Sequence, residues 1–403
     1  MLRAMPPPLD PAQVRPRFPA LARDAVYLDG PGGSQAPDEV VEAMAAHLRA
    51  GTANDGGAFA TSHAVSELVG RARRAAAALT GSAPEEIAFG PNMTTLNFLL
   101  AHAVARTLEP GDEIVVTELD HDANIAPWLR VAGDHDLVVR TAPVRPDATL
   151  DVDALEALIG DRTRIVAFTL ASNATGTITD APRIVRAAHD AGALAWADTV
   201  HLAPHRRPDR AALGVDVLLC SPYKFFGPHL GIAAIRRDLA QTWPADRVRP
   251  ASETPPGHRF ETGTPSFEAL AGLVATVDYI GSLGDGLDDS YARVREHEES
   301  LARAVLERLA ELPAIAVHGI ADPARVGERT PTFCLSVAGR SPREVSAALA
   351  ERDIYTWDGN YYALALMEAL GLQERGGAVR AGFVHYNTAE EADRLCDALA
   401  ELV

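Results

Sequence analysis

Cysteine is scarce in this chain, with only three among 403 residues. Disulfide-rich secreted proteins and many zinc-binding proteins need more of it. Cys220, Cys334 and Cys396 show no paired spacing, so the sequence predicts neither a disulfide framework nor a zinc site. No apolar run is long enough to span a bilayer. Residues 1–8 lack the apolar core of a signal peptide. These absences predict a soluble, cytoplasmic protein without a membrane partner.

Positive charge is also scarce, since 37 Lys and Arg residues face 55 Asp and Glu residues for a net charge of −18. Such a surface repels nucleic acid, which we therefore do not expect as a partner. A small anion remains compatible with it, because a local site can be positive on an acidic protein. The length and the 47% hydrophobic content allow one large and one smaller domain.

Apolar runs alternate with helical patterns through the first part of the chain. The predicted strands are 87–89, 113–117, 137–141, 164–169, 193–197, 215–220 and 231–235. The predicted helices include 38–48, 65–79, 94–107, 152–158 and 181–191. This alternation indicates βαβ units and an α/β fold with a largely parallel sheet, and the continuous apolar strands indicate helices on both of its faces.

A domain boundary is predicted at the Gly-rich segment 283–286. After it, the patterns predict one long helix, a strand, a helix, a short strand and a final helix, at 288–311, 332–337, 342–352, 354–357 and 389–402. We therefore expect three parts: an arm (1–35), a large domain (36–285) and a small α+β C-terminal domain (286–403).

Two opposite charges lie at the ends of adjacent predicted core strands. Lys224 follows the run 215–220, and Asp198 follows the run 193–197. Open α/β sheets hold their ligands at the carboxyl ends of such strands. A Schiff-base lysine with an aspartate against a pyridinium nitrogen is what pyridoxal 5'-phosphate (PLP) enzymes require. A surface lysine and a strand-capping aspartate are the ordinary interpretations, and the neighbouring residues favour PLP.

The segment around Lys224 offers further ligand contacts. Ser221 presents a hydroxyl to a phosphate, and Gly227 is expected to let the backbone approach a ligand. The turn at Asn92 and Met93 precedes a helix whose first N–H groups would cradle a phosphate, although an ordinary helix cap explains it too.

Polar residues after other predicted strands complete an ordered series. His121 would stack on an aromatic cofactor, Asn173 would hydrogen-bond a phenolic oxygen, and His201 would face the cofactor ring. Arg380 presents a planar fork that binds a carboxylate. Each residue alone also fits a loop or strand-edge position. A metal site at His121 and its flanking aspartates is disfavoured, since no second ligand cluster has matching spacing.

Together these motifs, from 27–29 to 386–388, resemble the class V aminotransferase family of fold-type I PLP enzymes, in particular its cysteine-desulfurase-like branch. The resemblance implies a large domain with a mostly parallel seven-stranded sheet and a smaller α+β C-terminal domain. It also implies roles for individual residues. Lys224 would carry PLP, Asp198 would pair with the pyridine nitrogen, and His121 would stack on the ring. Asn173 and His201 would lie near the phenolic oxygen.

The remaining roles also rest on the resemblance. Ser221 and the turn at Asn92 and Met93 would bind the phosphate. Arg380 would hold the α-carboxylate of an amino-acid substrate. The segment 260–265 resembles one that crosses a homodimer with shared active sites, where Thr264 would contact the phosphate of the other subunit.

Three departures from the desulfurase pattern affect the predicted reaction. Tyr223 precedes the lysine where desulfurases usually have histidine. The turn at Asn92 and Met93 also differs from the Gly-Thr-Thr-type phosphate turn of desulfurases. In the loop 357–364, Tyr362 or a neighbour holds the place of the cysteine that accepts sulfur. We assign Tyr362, with Arg380, to the substrate-binding residues and Tyr223 to the cofactor-binding ones.

The missing cysteine makes a C–S lyase the leading prediction: α,β-elimination on cysteine or an S-substituted cysteine. Alternatives are an aminotransferase or epimerase acting on another amino acid, and a desulfurase with an external thiol acceptor. A non-catalytic PLP-binding protein is a further alternative. The loops 29–34, 54–61 and 357–364 are expected to select the substrate.

Overall fold

The structure is a computed structural model that describes residues 9–403. The first eight residues of the predicted arm therefore lie outside the described residues. Within 9–403, no helix is both long and apolar enough to cross a membrane.

Thirteen strands are present in the described chain. They are β1 (Val26–Tyr27), β2 (Ile87–Gly90), β3 (Glu113–Thr117), β4 (Val138–Ala142), β5 (Thr163–Thr169), β6 (Leu194–Asp198), β7 (Val217–Cys220), β8 (Gly231–Ile235), β9 (Ile315–His318), β10 (Thr332–Val337), β11 (Ile354–Tyr355), β12 (Trp357–Gly359) and β13 (Ala378–Gly382).

Fourteen α-helices accompany them across residues 9–403. They are α1 (Pro11–Val14), α2 (Asp38–Arg49), α3 (Ala60–Thr80), α4 (Met93–Ala105), α5 (Ala126–His135), α6 (Val152–Leu158), α7 (Ala181–Asp190), α8 (Arg210–Leu213), α9 (Arg237–Thr242), α10 (Phe267–Gly281), α11 (Leu287–Ala310), α12 (Pro342–Ala350), α13 (Leu364–Ala369) and α14 (Ala389–Ala400).

The main sheet has seven strands in the order β2-β8-β7-β6-β5-β3-β4. Only β8 runs antiparallel to its neighbours, so the predicted mostly parallel α/β sheet is confirmed. Neighbouring residues of β5 alternate between two apolar cores. Val166 and Phe168 join the core on one face, and Ile165 and Ala167 join the core on the other. Burial on both faces explains why the strands are continuous apolar runs.

The C-terminal part contains an antiparallel sheet in the order β12-β13-β10-β9, with a core of its own. This arrangement confirms the predicted α+β character. The prediction of a single strand at 354–357 was wrong. The chain changes sheets at Thr356, so that β11 pairs with β1 while β12 pairs with β13.

Of the α-helices with ten or more residues, two were absent from the predicted elements, α5 and α10. Helix α10 packs against α2 and α3, and apolar residues cover most of its surface. A helix of this kind lacks the one-sided apolar stripe that marks a surface helix in a sequence. The segment 283–286 forms the turn between α10 and α11.

Candidate active site

A cavity of about 900 Å³, called the main cavity here, opens at the carboxyl ends of the central strands. Strands β6 and β7 are adjacent and parallel, so Asp198 at the end of one lies beside the segment that carries Lys224. Nine residues of the predicted site line this cavity: Met93, His121, Asn173, Asp198, His201, Tyr223, Lys224, Tyr362 and Arg380. The sheet thus gathers residues that are far apart in the sequence.

Lys224 ends a short 3₁₀ turn, Pro222–Lys224, directly after β7. Its Nζ donates a hydrogen bond to the Pro31 carbonyl at 2.5 Å and lies 4.8 Å from the centre of the Tyr223 ring. Burial lowers the pKa of Lys224 to about 7, and the positive charge of Arg380 acts in the same direction. The amine is therefore available as a neutral nucleophile or base near neutral pH.

Asp198 is buried, and its Oδ1 accepts a hydrogen bond from the Val200 amide at 2.8 Å. Burial raises the pKa of Asp198 to about 6, while that hydrogen bond and the charge of Lys224 oppose the rise. The carboxylate is thus mostly ionised at neutral pH. A buried anion of this kind needs a cationic partner.

His121 lies in the cavity wall with its Nδ1 accepting a hydrogen bond from the Ala123 amide at 3.0 Å. Burial, together with the charges of Lys224 and Arg380, lowers the pKa of His121 to about 4. The ring is therefore neutral at pH 7, and its centre is 5.6 Å from that of Tyr362.

Asp120 is a buried carboxyl group that was not among the predicted site residues. It accepts hydrogen bonds from the Thr117 hydroxyl at 2.5 Å and from Asn124 Nδ2 at 2.8 Å. Burial raises its pKa to about 8, and the negative charge of Asp198 adds to the rise. Asp120 is therefore mostly protonated at neutral pH and holds the segment that carries His121 without adding a second negative charge.

Arg380, Asn173 and Tyr361 form one connected group at the cavity wall. Arg380 Nη1 donates to the Asn173 carbonyl at 2.9 Å, and Asn173 Nδ2 donates to the Tyr361 carbonyl at 2.9 Å. Arg380 Nε and Asn173 Oδ1 are buried without a hydrogen-bond partner. Buried polar atoms normally have partners, so these two atoms indicate where a polar ligand would bind.

His201 is buried beside the cavity, and its Nε2 lies 3.3 Å from the Thr330 hydroxyl and 3.1 Å from that of Thr332. Its ring meets the ring of His205 edge to face at 5.4 Å. His205 Nδ1 in turn lies 2.9 Å from Glu298 Oε2. Burial lowers the pKa of His201 well below its usual value, so this residue is neutral.

The predicted phosphate-binding residues lie together at the start of α4. Ser221 is buried, and its hydroxyl accepts a hydrogen bond from the Met93 amide at 2.9 Å. Asn92 caps the helix by accepting from the Thr95 amide at 2.8 Å. Met93 and Thr94 line the cavity, whereas Asn92 and Ser221 are not among its lining residues.

Gly227 was expected to let the backbone approach a ligand, and it is not among the residues that line the cavity. A Cβ atom there would lie 2.7 Å from Pro222 Cβ and 2.8 Å from Thr276 Oγ1, so the missing side chain makes room for these two residues.

Two predicted segments lie away from the main cavity. Thr264 is exposed, and it follows Glu261, which is buried in an ion pair with Arg73 at 2.8 Å. The loop 54–61 contributes no residue to the cavity among those that the structure describes.

Several cavity residues were not identified individually from the sequence, notably Phe98 and Gly32. Phe98 stands four residues after Thr94 on α4, which places both on one helix face. That spacing, counted from the predicted phosphate turn, was the signal that would have found Phe98.

Comparisons with known proteins agree with this geometry. A family model for class V aminotransferases matches residues 26–395. A cysteine desulfurase of Serratia proteamaculans (strain 568) is 30% identical over 410 residues, which cover 97% of each chain. The apo structure of cysteine desulfurase from Thermococcus onnurineus NA1 has a TM-score of 0.89, with 28% identity over 98% of each chain. Cysteine desulfurase CsdA from Escherichia coli has a TM-score of 0.84, with 28% identity over 98% of this chain and 99% of that one.

The fold and the main cavity define a PLP-dependent enzyme of fold type I. The chain belongs to the class V aminotransferase family, as the motifs predicted. The cavity fits PLP chemically. It offers a lysine with a pKa near neutral, a buried carboxylate without a cationic partner of its own, and unpartnered polar atoms on Asn173 and Arg380.

Proposed function

We propose that this protein is a C–S lyase that acts by α,β-elimination on cysteine or an S-substituted cysteine. The observation that carries the proposal is the residue at the mouth of the main cavity. Tyr362 lines the cavity there and is 73% exposed. It lies in the loop 357–364, where the resemblance to desulfurases implies that Tyr362 or a neighbour takes the place of the sulfur-accepting cysteine. A tyrosine hydroxyl cannot form a persulfide.

The three cysteines of the chain support the proposal. Cys220 lies in β7, Cys334 in β10 and Cys396 in α14, and all three are buried. Burial raises the thiol pKa of Cys334 to about 12 and that of Cys396 to about 11, and it raises that of Cys220 further. A sulfur acceptor needs an accessible thiolate, which burial of this kind disfavours.

The residues of the cavity suit the steps of an elimination. Arg380 keeps its Nε free to bind the substrate α-carboxylate. Lys224 removes the Cα proton as a base with a pKa of about 7. When bound, PLP supplies an electron sink for the charge that develops at Cα. The Cβ–S bond breaks, and the sulfur leaves with the electron pair as a thiolate, which takes up a proton to give the thiol. Water supplies the oxygen of pyruvate, and the amine leaves as ammonia.

Product analysis tests the proposal directly. We expect purified protein with PLP to convert S-benzyl-L-cysteine to pyruvate, ammonia and the thiol in equal amounts. Lys224→Ala is expected to abolish pyruvate formation and the absorbance band of the lysine-bound cofactor. Absence of pyruvate from cysteine and from every S-substituted cysteine would reject the lyase. Accumulation of pyridoxamine phosphate would identify a transaminase instead.

A desulfurase with an external thiol acceptor is the second candidate, because the relatives at 28–30% identity are named cysteine desulfurases. That reaction releases alanine rather than pyruvate. It also requires an added thiol, so its rate would rise with the concentration of dithiothreitol.

We further propose a cytoplasmic homodimer in which Thr264 contacts the phosphate bound by the partner subunit. Support comes from the exposure of Thr264 on a segment that the buried Glu261 holds in place. Thr264→Ala is then expected to weaken PLP retention without changing the fold. Equal PLP retention by Thr264→Ala and the parent protein, or a monomer in sedimentation, would reject this arrangement.

A further inference from the structure

Three large aromatic side chains stand exposed at the mouth of the main cavity. Phe98 is 41% exposed, Trp357 is 50% exposed and Tyr362 is 73% exposed, and all three line the cavity. We call these residues the aromatic rim. They come from α4, from β12 and from the loop after β12, so only the tertiary structure brings them together. Exposed aromatic side chains around a pocket indicate a surface that is buried by a ligand or partner.

Trp357 occupies space that a missing side chain leaves open. A Cβ atom at Gly32 would lie 2.4 Å from Trp357 Nε1 and 3.1 Å from its Cδ1. Such a contact is too short, so any side chain at position 32 would displace the indole. Gly32 therefore permits the present position of Trp357 at the cavity mouth.

Tyr362 has an unusual backbone conformation. Tyr361 and Tyr362 both have left-handed φ angles, 56° and 57°. The Tyr362 carbonyl accepts a hydrogen bond from the Asp122 amide at 2.7 Å, and its amide donates to Asn360 Oδ1 at 3.1 Å. Non-glycine residues seldom adopt this conformation without a reason. Here it directs the backbone so that Tyr362 presents its ring at the mouth.

A negative charge lines the cavity at Asp122. Asp358 lines it too, and the exposed Arg343 offsets the charge of Asp358 by pairing with it at 3.1 Å. Among the described lining residues, the lysines and arginines are Lys224 and Arg380. Their proposed tasks are cofactor attachment and binding of the α-carboxylate. The mouth therefore disfavours a second negative group on the substrate.

We propose that the aromatic rim is a subsite for a bulky, uncharged substituent on the sulfur of the substrate. This inference rests on the proposed function for the position of the substrate, and it selects S-aryl or S-alkyl cysteines over cysteine itself. The cavity volume of about 900 Å³ lies near the upper end of the roughly 300–1,000 Å³ of small-molecule sites. It leaves room for a substituent beside the cofactor and the amino-acid backbone.

Fluorescence offers a test that does not depend on turnover. Trp357 is the exposed tryptophan, since Trp128, Trp196 and Trp243 are buried. The probes are 3-(benzylthio)propionate and 3-(methylthio)propionate, which carry the carboxylate and the sulfide but lack the amine and cannot be eliminated. We expect the benzyl probe to shift the emission of Trp357 to shorter wavelength and to bind about tenfold more tightly than the methyl probe. The Trp357→Phe protein should lose the spectral shift.

Variants of the rim test the assignment by kinetics. Trp357→Ala and Gly32→Ala should each lower the ratio of kcat/KM for S-benzyl-L-cysteine to kcat/KM for cysteine, by about fivefold to tenfold. Gly133→Ala is the matched control for Gly32→Ala, because a Cβ at Gly133 meets no atom within 4 Å. S-Carboxymethyl-L-cysteine should be a poorer substrate than S-benzyl-L-cysteine, because the negative charge of Asp122 repels its second carboxylate.

The subsite would be overturned by equal affinity of the benzyl and methyl probes, or by an equal loss of kcat/KM for large and small substrates in Trp357→Ala. Emission from a buried Trp357 in the absence of probe would indicate that a partner subunit covers the rim, and this too would overturn it. Tight benzyl binding without pyruvate formation would retain the subsite and reject the lyase. Pyruvate formation with equal probe affinities would retain the lyase and reject the subsite.

Discussion

The guanidinium group of Arg380 lies over the ring of Tyr361, with its central carbon 4.4 Å from the ring centre. The Tyr361 hydroxyl donates to the carbonyl of Ala378, two residues before Arg380 on β13. Tyr361 therefore supports both the side chain and the strand of the arginine that we propose as the carboxylate clamp. Burial lowers the pKa of Arg380 to about 10, so it stays charged at neutral pH.

Replacing Tyr361 by leucine should raise KM more than it lowers kcat. A desolvated cation–π contact contributes about 1–2 kcal/mol, and its loss should raise KM for the amino-acid substrate about tenfold. Tyr361→Phe keeps the ring and loses only the hydroxyl contact, so its KM should stay within about threefold. Steady-state kinetics on both variants checks this. Equal KM values for the two would show that the ring does not position Arg380.

The uptake of PLP by the apo-protein should depend on pH through Lys224. Burial and Arg380 lower the pKa of this amine to about 7, and only the neutral amine attaches to the cofactor aldehyde. The attachment rate should therefore rise as pH increases through about 7 and then level off. Stopped-flow absorbance measures it. Arg380→Gln removes a positive neighbour and should move the midpoint to higher pH. A midpoint near that of free lysine would contradict the low pKa.

The pH dependence of stability should change when Asp120 becomes asparagine. The folded protein holds the Asp120 proton up to about pH 8, whereas the unfolded chain releases it near 3.8. Between these values the folded state binds more protons, so this group's contribution to stability falls as pH rises. Asp120→Asn lacks that contribution. Denaturant unfolding at several pH values should show the free energy of unfolding of the parent protein falling relative to the variant across this window. If the free energy of unfolding changed with pH equally in the parent protein and in Asp120→Asn, the raised pKa of Asp120 would be refuted.

Removing the Glu261 carboxylate should destabilise the fold strongly. Glu261 pairs with Arg73 at 2.8 Å and accepts the Phe89 amide at 3.0 Å, and all three residues are buried. Glu261→Ala leaves an unpaired buried guanidinium, which typically costs about 3–5 kcal/mol. Thr262→Ala, at an exposed neighbour, should change stability by less than about 0.5 kcal/mol. A loss for Glu261→Ala as small as that of the control would show that water solvates Arg73.

Much of the main sheet was predictable because its strands are buried on both faces. The strands at 113–117 and 231–235 were placed with their observed bounds, as was the helix at 152–158. The predictions failed where a tertiary contact overrides the pattern of apolar residues. The segment 354–357 serves two sheets, which an apolar run cannot reveal. Helix α10 is buried around much of its surface and shows no clear stripe.

The grouping of the site residues was predictable for a related reason. Parallel strands end at one edge, so polar residues after β5, β6 and β7 meet there whatever their separation in sequence. Seven of the nine predicted residues that line the main cavity end or follow strands of this sheet, whereas Arg380 and Tyr362 come from the C-terminal part. Contacts made by loops were not predictable in this way. The stacking of Tyr361 on Arg380 and the fit of Trp357 against Gly32 join residues far apart in the chain through loop conformation.

The sequence by itself determined the α/β fold, the family and the lysine and aspartate at the strand ends, since these follow from local patterns and from the geometry of parallel sheets. Tertiary structure alone decided the charge states and the shape of the mouth. Lys224 has a pKa near 7 because the folded chain buries it beside Arg380. The aromatic rim exists because three separate elements converge on one opening. Burial and convergence are properties of the packed chain, and no local pattern encodes them.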